Sequence, residues 1–194
     1  MSSCPLCKAM RDHLPSVPEP EAVAFRFELH DAGWASLETV LGKQMFAIPA
    51  FGHMTDGLGD LVRAAVLIAT GESHVGVVFD EEPRRWGLAI EPAGLSNAIQ
   101  RIARLTIRDG GTALTADGWS RRPVWKWTAQ PVLEGYVETD AFAHAVRIVT
   151  ASARAQYSDA VYRKKWGYHG NLEGFPLRGL KALEAALAVT EYRE

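Results

Sequence analysis

His53-Met-Thr-Asp-Gly-Leu-Gly-Asp-Leu-Val-Arg-Ala-Ala-Val-Leu-Ile-Ala-Thr-Gly71 is the stretch on which the fold turns. Leu58, Leu61, Val62, Ala65, Val66 and Ala69 recur at three-and-four spacing, the pattern of a helix with an apolar stripe. Leu67 and Ile68 widen that stripe, so the spacing predicts a helix from about Asp56 to Thr70 that is buried on more than one side. Thr55 or Asp56 can cap its start, and Gly71 can take the left-handed position after its end. The first turn is unusual, because Gly57 and Gly59 stand among acids where good helix formers are expected. Two glycines cost about 2 kcal/mol relative to alanine in a helix interior, so they need a reason. Close packing of this turn against the turn at Trp34 would supply one.

Hairpins flank this helix on both sides. Val23 to His30 alternates, with Phe25, Phe27 and Leu29 on one face. A three-residue loop at Asp31-Ala-Gly33 then pairs Phe27 with Leu37 and Leu29 with Ala35. A two-residue loop at Gly42-Lys43 pairs Thr39 with Phe46 and Leu37 with Ile48. Both turns put apolar residues on the same face. After the helix, a four-residue loop at 81–84 pairs Phe79 with Trp86, Val77 with Leu88 and Val75 with Ile90. Residues 98–108 fit a helix in their first half and a strand in their second. Residues 109–131 read as loop with short strand pieces, and Pro131 to Val137 as a last strand.

The C-terminal third changes period. Phe142, Ala145, Val146, Val149, Ala153, Tyr157, Ala160 and Val161 predict one long helix over about 140–166, with Thr139 as its cap. Gly167 can end it, and Tyr168-His-Gly-Asn171 reads as a turn. Pro176 suits the first position of a final helix that turns Leu177, Leu180, Leu183 and Leu187 inward. The expected fold is α+β: a mostly antiparallel sheet built from hairpins, one buried helix between them, and two C-terminal helices packed on it.

Residues 1–22 read as a separate flexible arm carrying Cys4-Pro-Leu-Cys7, followed by one domain over 23–194. Pro15, Pro18 and Pro20 disfavour helix there and supply no ladder donors. The arm lacks an apolar h-region, so no signal peptide is expected. The longest apolar run, Ala64 to Ala69, is too short to span a bilayer, so no membrane partner is expected. A net charge of -2 gives no global drive toward nucleic acid. Two cysteines three positions apart do not make a disulfide framework, which suits a cytoplasmic chain.

Four stretches stand together: His30-Asp-Ala-Gly-Trp-Ala35, Thr55-Asp-Gly-Leu-Gly-Asp-Leu-Val-Arg-Ala-Ala65, Asp80-Glu-Glu-Pro-Arg-Arg-Trp-Gly-Leu88, and Tyr162-Arg-Lys-Lys-Trp-Gly167 followed by Phe175-Pro-Leu177. In this order and spacing the set resembles an uncharacterised family of small bacterial proteins over most of residues 25–190. The resemblance implies turns and a helix start rather than an activity, and the cysteine arm looks like an addition to it.

The candidate sites are few. Cys4 and Cys7 can grip one metal ion, with His13 as a third ligand, and zinc is the cofactor such a set would take. A redox dithiol normally sits at a helix start in a βαβ unit, a context absent here. His53, Asp56 and Asp60 can form an oxygen-and-imidazole metal site or a general base, although Asp at a helix start is ordinary capping. His74 opposite Glu91 can make a base and its orienting carboxylate, against the commoner exposed cross-strand pair. Trp119, Arg121, Arg122, Trp125, Lys126 and Trp127 interleave cations with aromatics, a composition found at protein interfaces. No P-loop, dinucleotide fingerprint, nucleophile elbow or His-Glu-x-x-His motif occurs. The reading with most support is a non-enzymatic cytoplasmic interaction module, of immunity-protein or adaptor type, with a protein partner or self-association. The alternatives are a metal-dependent hydrolase using His53, Asp56 and Asp60, and a zinc-binding module through Cys4 and Cys7.

Overall fold

A computed structural model describes residues 18–52, 55–95, 100–110, 112–113, 125–126, 129–166 and 174–191. Every strand pairing among them is antiparallel. The first sheet contains β1 (Val23–Leu29), β2 (Trp34–Leu41) and β3 (Gln44–Gly52) in that order. The second contains β4 (Val75–Glu81), β5 (Arg84–Leu95), β6 (Arg101–Asp109) and β9 (Pro131–Glu138). A short pair, β7 (Thr112–Ala113) with β8 (Trp125–Lys126), lies in the stretch read as loop with strand pieces.

Turn chemistry sets the register. Phe27 lies across from Leu37, Leu29 from Ala35 and Thr39 from Phe46, as the hairpin loops require. Ala32 and Gly33 both take positive φ in the first loop, and Gly42 opens the second. A bulge sits between Ala35 and Leu37. In the second sheet Phe79 pairs with Trp86 and Val77 with Leu88 as expected, but the loop is shorter than four residues. Asp80 pairs with Arg85 and Glu81 with Arg84, leaving Glu82 and Pro83 as a two-residue turn. Of the ambiguous residues 98–108, those from 101 on are strand: β5 runs to Leu95, and Arg101–Asp109 is all β6. Gln100 precedes that strand, and residues 96–99 lie outside the described residues.

Helix α1 (Gly57–Ala69) separates the two sheets in the chain. Asp56 is its N-cap, accepting a hydrogen bond from Gly59 N at 3.1 Å. At its end Gly71 N donates to the Ile68 carbonyl at 3.1 Å and Glu72 N to the Leu67 carbonyl at 2.9 Å. This double closure satisfies the last carbonyls through a left-handed glycine. Leu58, Leu61, Val62, Ala65 and Ile68 are buried. The helix packs on β4 and on two later helices, rather than equally on both hairpins.

The expected long C-terminal helix is two helices. α2 (Thr139–Gln156) stops at Tyr157, whose φ of -119° and ψ of 118° are extended. α3 (Asp159–Trp166) then restarts, with Ser158 Oγ accepting from Val161 N at 3.3 Å. The break turns the Tyr157 hydroxyl to accept from Leu29 N, 3.1 Å away on the edge strand β1. Apolar periodicity continues across the break, which is why spacing alone does not reveal it. Thr139 is the first helical residue and Glu138 holds the cap position, so the cap lies one residue earlier than expected. α4 (Leu177–Glu191) follows Pro176 and buries Leu180, Leu183 and Leu187.

α1, α2 and α4 pack on one another, and α2 also crosses β1 and touches β6 and β9. The core lies between this helical layer and the apolar faces of both sheets, from Leu37, Ile48 and Phe51 to Phe79, Leu88 and Leu105. No described helix is long and apolar enough to cross a membrane.

Candidate functional site

The start of α1 is where the quoted stretches meet. Gly57 sits so close to two buried rings that an added Cβ would lie 2.5 Å from Phe51 and 2.9 Å from Phe79. Those rings are themselves 5.0 Å apart, edge to face. The close contact expected at the Trp34 turn is therefore made elsewhere: Trp34 covers Gly52, and the α1 turn packs on Phe51 and Phe79. Gly59 is less constrained, since an added Cβ there would meet only the capping carboxylate of Asp56, the movable end of a side chain. Thr55 Oγ1 accepts from Asp80 N at 3.4 Å, which ties the turn to β4. Gly33 N donates to the Lys165 carbonyl at 2.7 Å, and Lys165 Nζ lies 3.0 Å from Asp31. The first hairpin loop is thereby held to the end of α3.

A cleft of about 630 Å³ opens beside this junction, between the starts of α1, α3 and α4. Asp56, Arg63, Asp159, Arg163 and Arg178 bring charge to it, and Phe175, Pro176 and Leu177 bring apolar surface. Arg63 lies 3.7 Å from Asp56 and makes a close ion pair with Asp60. Arg163 Nε donates to Asp159 at 2.9 Å, while the other Asp159 oxygen accepts from Phe175 N at 3.2 Å. Asp159 thus anchors the chain entering α4 as well as its own helix.

Burial acts on this cluster. It pushes the Asp60 carboxyl up to about 6, opposed by Arg63 and assisted by the neighbouring charge of Asp56. Tyr162 is 1% exposed, and its ring meets Phe175 edge on at 5.1 Å. Burial, and then the charge of Asp56, raise its hydroxyl well above the ordinary phenol value, so it stays a donor. That hydroxyl and the indole N–H of Trp166 have no hydrogen-bond partner among the described residues. Orphan buried donors are rare in folded chains.

Of the residues singled out by sequence, Asp56 and Asp60 come together, with Arg63 beside both. No group of three or more metal-ligating side chains occurs among the described residues. His53, Cys4, Cys7, His13, Trp119, Arg121, Arg122 and Trp127 lie outside the described residues. Trp125 and Lys126 form β8, where they pair with Ala113 and Thr112. His74 does not meet Glu91: its Nδ1 contacts Ser73 Oγ at 2.9 Å, while Glu91 faces Arg104 at 3.9 Å. β4 begins at Val75, one residue too late to hold that pair in register.

The residues that sequence reading did not single out as a site are Arg63, Asp159, Tyr162, Arg163 and Arg178. The nearest signal was the Tyr162-Arg-Lys-Lys-Trp166 stretch, which carried only a structural meaning. No protein-family profile matches the chain, and neither the curated proteins nor the solved structures contain a match.

Proposed function

We propose that this protein is a non-enzymatic interaction module that holds a polypeptide segment in the cleft between α1, α3 and α4. The observation that carries this reading is the mixed lining. Arginines and aspartates stand beside Phe175, Pro176 and Leu177 in one concave space. A peptide needs such a mixture, because it presents backbone amides, charges and apolar side chains together. Volumes of about 300–1,000 Å³ are usual for a ligand site. The ion pairs at Arg63 and Arg163 support binding over hydrolysis, since they hold the cleft aspartates as structural partners. A cytoplasmic adaptor or immunity-type role fits such a module.

Panning a random dodecapeptide library on the full chain tests this reading. One enriched motif is expected, and its binding should fall at least tenfold in Leu177→Asp and Arg163→Ala chains of unchanged melting temperature. Enrichment of no motif, or binding insensitive to both substitutions, overturns it.

A second reading, a metal-dependent hydrolase using His53, Asp56 and Asp60, draws support from one observation: Asp56 and Asp60 lie together at the start of α1, where partial burial pushes the Asp60 carboxyl up to about 6. Melting curves with and without zinc or manganese test it, and no shift with either metal counts against it.

A further inference from the structure

Resting on the reading of the cleft as a peptide site, we infer that Asp159 is its positioning residue. One carboxylate clasps the α3 side of the cleft to the apolar side, and so sets where the Pro176–Leu177 wall stands when a segment binds. Asp159 is the first residue of α3. One of its oxygens accepts from Phe175 N at 3.2 Å and the other from Arg163 Nε at 2.9 Å. Pro176 and Leu177, which continue from Phe175, line the cleft. They are tied to α4 at once, since Leu177 N donates to the Phe175 carbonyl at 2.7 Å and Leu180 N to the Pro176 carbonyl at 3.0 Å. The Phe175 ring is buried, edge on to Tyr162 at 5.1 Å and with the Arg154 guanidinium 5.5 Å from its centre. Packing thus holds the ring, and Asp159 holds the backbone from which the wall extends.

Gly174 shows independently how closely the clasp is drawn. A Cβ there would lie 2.7 Å from Arg163 Nε and 2.8 Å from an Asp159 oxygen. Both are movable ends of side chains, so a methyl group at this position pushes the clasp apart without striking backbone. The clasp itself contributes little to folding. The Arg163 and Asp159 side chains are 64% and 38% exposed, and exposed pairs four apart on a helix are weak. A contact of small worth to stability that fixes one wall of a binding site acts by preorganisation. Loosening it leaves the bound segment to order the wall, which costs affinity.

The test uses the peptide selected on the full chain, labelled with fluorescein. Its affinity is read by fluorescence anisotropy on the parent, Asp159→Ala, Asp159→Asn and Gly174→Ala chains, and on a chain carrying both alanines, with urea unfolding of each. Asp159→Ala and Gly174→Ala should each weaken binding about fivefold or more while the urea midpoint moves little. Asp159→Asn keeps an amide oxygen that can accept from Phe175 N, so its affinity should stay within about twofold of the parent. The two alanines open one contact, so the chain carrying both should bind no worse than the weaker single variant. Equal losses in Asp159→Asn and Asp159→Ala would mean that the carboxylate touches the peptide directly, which overturns the inference and leaves the peptide site standing. So do losses that multiply in the double variant, losses that track stability across the chains, or binding unmoved by either alanine. Selection of no peptide at all removes both.

Discussion

At Gly57 the missing side chain is a packing requirement, because a methyl group there would press on Phe51 and Phe79, both buried. Overpacking a core costs about 1–3 kcal/mol, so Gly57→Ala should lower stability by that amount in urea unfolding. Gly59→Ala should be near neutral. Its methyl group meets only the end of the Asp56 side chain, and the loss of that cap is offset by about 1 kcal/mol of helix propensity. Equal losses at the two positions would place the constraint in the backbone and not in the rings. Asp60 adds a pH dependence of definite sign. Its folded pKa of about 6 lies above the ordinary 3.8, so between these values the folded chain holds a proton that the unfolded chain has released. Stability from this group is therefore lost as pH rises through that window and is level above it. Linkage sets a ceiling of about 3 kcal/mol, and partial solvation beside Arg63 reduces it to on the order of 1–2 kcal/mol. Asp60→Asn lacks the titrating group, so the stability difference between parent and variant should move in favour of the variant from pH 4 to pH 7. A difference that stays constant with pH would sink this account of Asp60.

Elements that close on themselves were legible in the residues, and elements decided by a distant partner were not. The hairpin registers follow from loop length and apolar matching within a few residues, which is why Phe27–Leu37 and Phe79–Trp86 were readable. α1 was readable from its spacing and its closing Gly71. The break between α2 and α3 was not, because the apolar spacing runs on across it, and the partner that Tyr157 meets there, Leu29, is 128 positions away. The cleft was illegible for the same reason: Arg63, Arg163 and Arg178 come from three helices, and no local pattern joins them. Asp56 and Asp60 were visible as a pair four apart, but their arginine partner reads in sequence as one more solvated cation on the helix. The break itself makes a prediction. Tyr157→Phe keeps the ring in place and leaves the Leu29 N–H buried without its acceptor, which costs about 1–3 kcal/mol. Urea unfolding should record that loss while far-UV circular dichroism stays unchanged in the native baseline. A stability unchanged within about 0.5 kcal/mol would mean that water replaces the hydroxyl at this edge.

For the molecule as a whole, the question is whether two sheets make one cooperative unit. β3 runs close to β4, and β2 and β3 both approach β9, although no ladder joins the two sheets among the described residues. The outer edge of β9 is covered by the first sheet's neighbourhood: Glu21 N donates to the Tyr136 carbonyl at 2.7 Å and Gln44 Nε2 to the Glu134 carbonyl at 2.9 Å. Such covering also protects an edge strand from pairing with another chain. α2 then bridges the sheets by packing on β1 from one and on β6 and β9 from the other. Rings complete the junction, with Phe46 lying 5.0 Å from Trp86 and Phe51 5.0 Å from Phe79. Because each sheet buries its apolar face against the other and against the same helices, neither keeps a dry core when its partner leaves. The chain should therefore unfold in a single step, with tryptophan fluorescence and far-UV circular dichroism giving superimposable urea curves. Glu21→Pro removes the donor to Tyr136 and should shift that single transition by about 1 kcal/mol without splitting it. Separate transitions for the two probes, or a β1–β3 hairpin pair whose amides exchange far faster than those of β5 and β6, would show instead that the sheets are independently stable and that the cleft hangs on a movable joint.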